Sequence, residues 1–414
     1  VGSGNDGSGK VVALAALIAA VRDAEDGSGL VGTLPVAGRT LIERQARLAA
    51  RAGAEHVVLL VERLPAGLTG AIDRLRRDGI AIDVARSAGD AADRFHPDER
   101  VLVFADGAVV SGDAIGRLVS GNAPALLTLG EGAPPGPFER IDAATRWAGL
   151  ALVAGDMLRK TVAMLGDWDL HSTLLRRAVG TSARRVDVAD GAGLGEAFPV
   201  MLVRSKGGAR AATEASFTID RAGEGWPARL LYGPAARLLV GLVLDRNLES
   251  RWLRWGGIAA ALLAVPAMLK GWLLAGLVLL VSGALLDATG RLLAALRLSP
   301  AAPDDRLALA RAVAMALGLI AFAWHRTESS ATPLVLGLGT VAVMIAMARE
   351  RWALRRLGGL SAPLWVADVD SLVLLFLPFA LFQQTFAGLA ALGLYAAASF
   401  AVVQQRLIGL ARAR

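Results

Sequence analysis

The feature that most constrains this chain is a series of apolar runs in its second half. They lie at residues 256–269, 271–287, 307–324, 332–348, 369–385 and 387–403. Each approaches the roughly 17–20 residues that a helix needs to cross a bilayer's hydrocarbon core. Basic residues punctuate them unevenly. One set of connections carries Arg246, Arg251 and Arg254, then Arg291, Arg297 and Arg306, then Arg349, Arg351, Arg355 and Arg356, then Arg406, Arg412 and Arg414. The alternate connections carry Lys270, then His325 and Arg326, then Gln383, Gln384 and Thr385. Cytoplasmic loops are the ones enriched in Lys and Arg. The pattern therefore predicts a multi-pass protein of the inner (cytoplasmic) membrane, with six spans and both termini in the cytoplasm. It places Asp287, Asp304, Asp305, Asp368 and Asp370 near the cytoplasmic face.

Composition agrees. Of 414 residues, 54% are hydrophobic, more than is usual for a soluble chain. The net charge of +7 is assigned to membrane anchoring, because the arginines cluster between apolar spans; the expected partner is the lipid bilayer and no nucleic acid. The absence of cysteine removes disulfides and thiolate chemistry. His56, His96, His171 and His325 are scattered, so no histidine-rich metal site is expected. No signal-peptide pattern opens the sequence, and the N-terminal half is expected to stay in the cytoplasm.

That half reads as an α/β domain over residues 11–203. Residues 11–20 form an apolar run too short to span a membrane, and are expected to be its first buried strand. A loop over Leu30–Arg39 leads to a helix over Thr40–Arg51, with Leu41, Ile42, Ala46, Leu48 and Ala49 at helical spacing. Strands follow at His56–Val61, Ala81–Val84 and Val101–Phe104, with helices at Thr69–Asp78 and Asp90–Phe95 between them. Later strands are expected at 125–129 and 148–153. Such alternation predicts a parallel sheet covered on both faces. Residues 1–10 read as a disordered tail; Gly4 to Lys10 fits part of a phosphate loop, but Val11 stands where Ser or Thr would hold magnesium. Residues 204–229 read as a linker, residues 230–244 as an interfacial helix and 230–414 as the membrane domain. Asp167-Trp-Asp169 could be a metal-binding triplet; a helix N-terminus before Leu170 fits it better, since aspartate favours that end of the helix dipole.

Two segments carry resemblances. Leu34-Pro-Val-Ala-Gly-Arg-Thr-Leu-Ile-Glu43, followed by a helix and a strand, resembles sugar-phosphate nucleotidyltransferases. That likeness implies a nucleotidyltransferase-like (GT-A/Rossmann-like) α/β fold, and Asp106, just after the strand VLVF, as a magnesium ligand beside a nucleotide. Where that family has a glycine-rich phosphate loop, this chain reads Val21-Arg-Asp-Ala-Glu-Asp-Gly-Ser-Gly29. The second segment, Trp226 to Arg237, followed by Asp287-Ala-Thr-Gly-Arg-Leu-Leu-Ala-Ala-Leu-Arg297, resembles CDP-alcohol phosphotransferases. Their motif is D-x2-D-G-x2-A-R, then G-x3-D-x3-D. Asp287 and Ala294 match it; Gly290, Arg291 and Ala295 replace an aspartate, the glycine and the arginine.

The order of parts is similar to bifunctional inositol-phosphate cytidylyltransferase/phosphotransferase fusions. The resemblance implies an all-α membrane domain of six helices and a role in polar-lipid (phospholipid) synthesis, with Mg2+ or Mn2+ as cofactor if the site is active. It implies Asp287, with Asp304 or Asp305, as metal ligands, and Arg229, Arg237, Arg291 and Arg297 as phosphate binders. A CDP-linked or nucleotide ligand and a homodimer are the expected partners. Two alternatives stand beside it: a non-catalytic relative that binds lipid or nucleotide or partners an active paralogue, and a membrane-tethered nucleotide-sugar transferase.

Overall fold

The computed structural model describes residues 12–130, 136–166, 168–189, 200–216, 225–244, 248–298, 305–326, 330–356 and 363–412. The expected N-terminal tail with its phosphate-loop-like residues, Asp167 and Asp304 lie outside them. Among the described residues the chain divides into two compact units, the first built by residues up to 216 together with Leu296, Arg297 and Leu298, and the second by the rest of the chain from 225 onward.

In the first unit the elements run β1 (Leu14–Ala19), β2 (Pro35–Val36), β3 (Arg39–Thr40), α1 (Leu41–Arg51), β4 (His56–Leu60), α2 (Ala66–Arg77), β5 (Ile82–Ala85), α3 (Ala88–Asp93), β6 (Arg100–Phe104), β7 (Ala108–Val109) and α4 (Gly112–Val119). They continue with β8 (Ala125–Leu129), β9 (Arg146–Ala154), α5 (Gly155–Val162), α6 (Leu170–Gly180), β10 (Arg184–Asp187), β11 (Met201–Leu202) and α7 (Lys206–Ser216). The main sheet has the order β10-β8-β9-β6-β1-β4-β5. Side chains alternate across it, as period-2 geometry requires. Ala16, Ile18, Leu59, Leu102 and Phe104 pack with residues of α1, α2 and α4 on one face. Ala15, Leu17, Val58, Val101 and Val103 pack with residues of α3, α5 and α6 on the other. The inner strands β1, β4, β6, β8 and β9 are buried on both faces, whereas the edge strands β5 and β10 expose Asp83, Arg184 and Arg185. Burial on both faces is why the inner strands read as largely apolar runs.

The sheet corrects one expectation: it is mixed. Strands β1, β4, β5 and β6 are parallel, and so are β8 and β10, but β9 runs antiparallel to both β6 and β8. A parallel return needs a crossover, usually a helix. The connection from β8 to β9 contains Gly130, Gly132, Pro134, Pro135, Gly136 and Pro137, a composition that breaks helices. The described part, 136–145, holds no helix, and β9 returns beside β8. Residues 206–216, read from composition as linker, form α7, whose Ala209 and Ala212 are buried with Val31, Leu34 and Val109.

The second unit begins with a π-helical turn over Ala228–Tyr232 that continues into α8 (Gly233–Val243). Tyr232, Ala236 and Val240 form its buried stripe, while Leu230, Leu231, Leu238 and Leu242 are exposed. Then come α9 (Ser250–Leu269), α10 (Leu273–Leu296), α11 (Asp305–His325), α12 (Thr332–Arg356), α13 (Val369–Leu381) and α14 (Thr385–Arg412). Five of these, all but α8 and α13, are long and apolar enough to cross a membrane. The expected sixth span falls short: α13 has 13 residues, about 20 Å of helix against a core of about 30 Å. Trp252, Trp255, Trp272, Trp324, Trp352 and Trp365 are exposed, and each lies at or near a helix end. Tryptophan is enriched at membrane–water interfaces.

Candidate functional site

In the α/β unit, strand order reverses at β1. Strands β4 and β5 lie to one side of it and β6 to the other. In open sheets of this kind, ligands bind beyond the carboxyl ends of the strands at such a reversal. Asp106 stands there, two residues after β6. Its Oδ2 accepts the backbone N–H groups of Val21 and Arg22 at 3.1 and 2.8 Å, the residues that leave β1. Its Oδ1 is buried and makes no hydrogen bond among the described residues. Burial pushes the carboxyl up to about 6, against the pull of the Arg22 and Val21 amides. Gly107 turns the chain at φ +89°, and a Cβ there would stand 2.3 Å from the Val203 carbonyl oxygen, so only glycine fits.

Around Asp106, His171 Nε2 lies 3.1 Å from the Phe104 carbonyl oxygen. Burial lowers the His171 pKa, which favours the neutral imidazole. Asp169 is the N-cap of α6, accepting the Ser172 N–H at 2.9 Å, so this half of the Asp-Trp-Asp triplet starts a helix. The acids of the loop after β1 are all engaged: Asp23 pairs with Arg63, Glu25 with Arg204, and Asp26 accepts the Lys206 N–H. Arg204 and Lys206, from the expected linker, were missed as neighbours of this loop because some 180 residues separate them from it. Among the described residues no three Asp, Glu, His or Cys gather to hold a metal ion. Asp106 alone fits a cation only if nucleotide phosphates supply most of its oxygens, a common mode for Mg2+.

An acid with a raised folded pKa holds its proton to higher pH in the native state than in the unfolded chain. The stability it lends is full below about pH 4 and is lost as pH rises through about 6. Asp106→Asn in the ligand-free protein is therefore expected to flatten that decline and raise stability at neutral pH by about 1–3 kcal/mol. Thermal unfolding at pH 5 and pH 7.5 reads this directly; an unchanged pH slope would contradict it.

The second unit holds a different cluster. Asp287, buried on α10, meets three guanidinium groups: Arg254 Nε at 3.2 Å from Oδ1, and Arg291 Nε and Arg311 Nε at 3.4 and 3.5 Å from Oδ2. Arg311 in turn grips Asp370 with two hydrogen bonds, of 2.7 and 3.0 Å. Asp368 caps α13 through Ser371. The Tyr232 hydroxyl is buried with no hydrogen-bond partner among the described residues; burial, and next Asp370, pushes it above the usual phenol range. The acid cluster implied around Asp287 is thus an arginine cluster. Asp305 opens α11, but its side chain lies outside the described residues, as does all of Asp304. Of the arginines implied as phosphate binders, Arg291 reaches Asp287, Arg229 and Arg237 are exposed on the π-turn and α8, and Arg297 is buried and belongs to the first unit instead. Arg311 escaped the sequence reading, although an arginine seven residues into an apolar helix is a functional candidate by position.

Gly290 explains part of this. A Cβ there would stand 2.7 Å from Arg254 Cγ and 3.0 Å from the Ser250 carbonyl oxygen. Helices α9 and α10 therefore close over the position where the resembled motif has an aspartate. Restoring it with Gly290→Asp is expected to destabilise the membrane half by at least the ~1–3 kcal/mol of overpacking, read as a lower unfolding midpoint. A variant as stable as the parent would show that the helices part easily.

No family model matches the chain, and no curated protein matches it. Solved structures similar to the N-terminal half include the inositol-1-phosphate CTP transferase from T. maritima, at 13% identity and TM-score 0.37, covering 51% of this chain and 98% of that one. Another is the CTP:phosphocholine cytidylyltransferase from Streptococcus pneumoniae, at 12% identity and TM-score 0.36, covering 49% of this chain and 99% of that one.

Proposed function

We propose that this chain is a multi-pass membrane protein of polar-lipid synthesis, divergent from CDP-alcohol phosphotransferases, that binds phosphate-bearing ligands without two-metal transfer in its membrane half. The observation that carries this is the trio of arginines on Asp287. Two divalent ions need several carboxylates to offset their repulsion, and the same residues instead suit an anion. Arg291 is the half-exposed member, placed to receive a lipid phosphate. In the α/β half, the crevice at Asp106 would take a nucleotide or CDP-linked ligand, with any Mg2+ or Mn2+ held between Asp106 and the ligand's phosphates. The arginine-rich helix ends would face the cytoplasm.

The test uses the full chain in nanodiscs. CDP-linked donors with inositol-phosphate or glycerol-phosphate acceptors are expected to give no product with magnesium or manganese. Anionic phospholipid is expected to bind, and to bind several-fold more weakly in Arg291→Ala. Robust turnover that vanishes in Asp287→Asn would overturn the reading.

A further inference from the structure

We propose that Arg311 is a built-in cation: its guanidinium bridges Asp287 and Asp370 where a divalent ion would otherwise have to sit, and so makes this end of the membrane half independent of metal. The two carboxylates come from α10 and α13, and the guanidinium from α11, which follows α10 in sequence. Two nitrogens of Arg311 meet the two oxygens of Asp370 at 2.7 and 3.0 Å, the bidentate match of planar guanidinium and planar carboxylate. The third nitrogen, Nε, faces Asp287 Oδ2 at 3.5 Å. Side-chain exposure is 4% for Asp287, 9% for Asp370 and 11% for Arg311. Two carboxylates this buried cannot both stay ionised without a cation close by.

Charge decides which cation. Asp287 and Asp370 carry two negative charges, and Arg254 and Arg311, both about nine-tenths buried, carry two positive ones. Among these four groups the charge sums to zero with arginine as the cation. A divalent ion added to them would leave two uncompensated positive charges in a low-dielectric interior, at a prohibitive desolvation cost. Space gives the same answer, because the Gly290 contact brings α9 against α10 beside Asp287. Arginine also stays protonated at any working pH and is covalently fixed, so no chelator removes it. The inference concerns the same membrane site as the proposed function, but it is read from metal binding and unfolding rather than from lipid or donor binding. Failure of the lipid-binding assay leaves it standing.

The experiment compares full-length variants in nanodiscs without nucleotide, in EDTA or in millimolar Mn2+. Mn2+ binding is read by electron paramagnetic resonance and folding by the unfolding midpoint. The wild-type protein is expected to unfold at the same temperature in both buffers and to show no Mn2+ binding that Asp287→Asn removes. Arg311→Ala is expected to unfold several degrees lower in EDTA, and to recover with Mn2+ while binding about one ion. Arg311→Ala combined with Asp287→Asn is expected to lose that recovery. Should the alanine variant fail to fold, Arg311→Lys keeps the charge without the fork; it is expected to fold at a lower midpoint and to bind no Mn2+. Wild-type or lysine protein that binds Mn2+ through Asp287 would overturn the proposal. So would an alanine variant that keeps the parent's midpoint and takes up no ion. The wild-type arm can be read whether or not either variant folds.

Discussion

Asp370→Ala is expected to cost about 3–5 kcal/mol, because it strands a buried guanidinium whose hydrogen-bonding carboxylate is gone. Asp370 accepts both terminal bonds of Arg311; among the described residues, Asp287, at 3.5 Å and outside hydrogen-bond geometry, is the carboxylate left to face it. Reversible unfolding of the membrane half in mixed micelles measures the loss. The double variant Asp370→Leu with Arg311→Met removes both charges, and is expected to recover much of it, since replacing a buried pair by apolar groups is often neutral. A single-variant cost below about 1 kcal/mol would mean that water reaches the pair and screens it.

The second large effect is expected at Glu43 in the α/β unit. Its side chain is fully buried, and Arg39, Arg47 and Arg74 all pair with it. Its Oε2 also accepts the Thr40 N–H at 3.0 Å, closing a capping box at the start of α1. Removing it in Glu43→Ala leaves Arg47, itself nearly buried, with Asp78 as its one ion-pair partner among the described residues. The expected loss is about 3–5 kcal/mol, with about 1 kcal/mol more for the cap. Asp73→Ala, on the exposed side of α2, serves as control and is expected to change stability by no more than about 0.5 kcal/mol. Equal effects at the two positions would rule out a structural role for the arginine cluster.

The pH dependence at Glu43 runs opposite to that at Asp106. Burial pushes the Glu43 carboxyl up, but the Arg74 hydrogen bond, the Thr40 amide and the Arg47 charge outweigh it and hold it below its usual value. The stability it contributes is present above the ordinary glutamate range and is lost as pH falls through its lowered folded value.

What the sequence determined by itself was local. The strands β1, β4 and β6 were legible because a strand buried on both faces must be apolar throughout. Helix α1 was legible because its apolar residues recur at helical spacing. Long apolar helices were legible because the hydrocarbon core fixes a minimum length; α13 misled because the span read there took in Gln383, Gln384 and Thr385, past Leu381 where its helix ends. What only the tertiary structure decided was pairing. The reversal of β9 depends on which strand edge is free when the chain returns. The amides that hold Asp106 lie 85 and 84 residues away in sequence, and Arg311 and Asp370 are 59 apart. An aspartate in a degraded motif carries no mark of whether a metal ion or a guanidinium will face it. Electrostatic partners are chosen through space, once packing has brought distant helices together and removed the water between them.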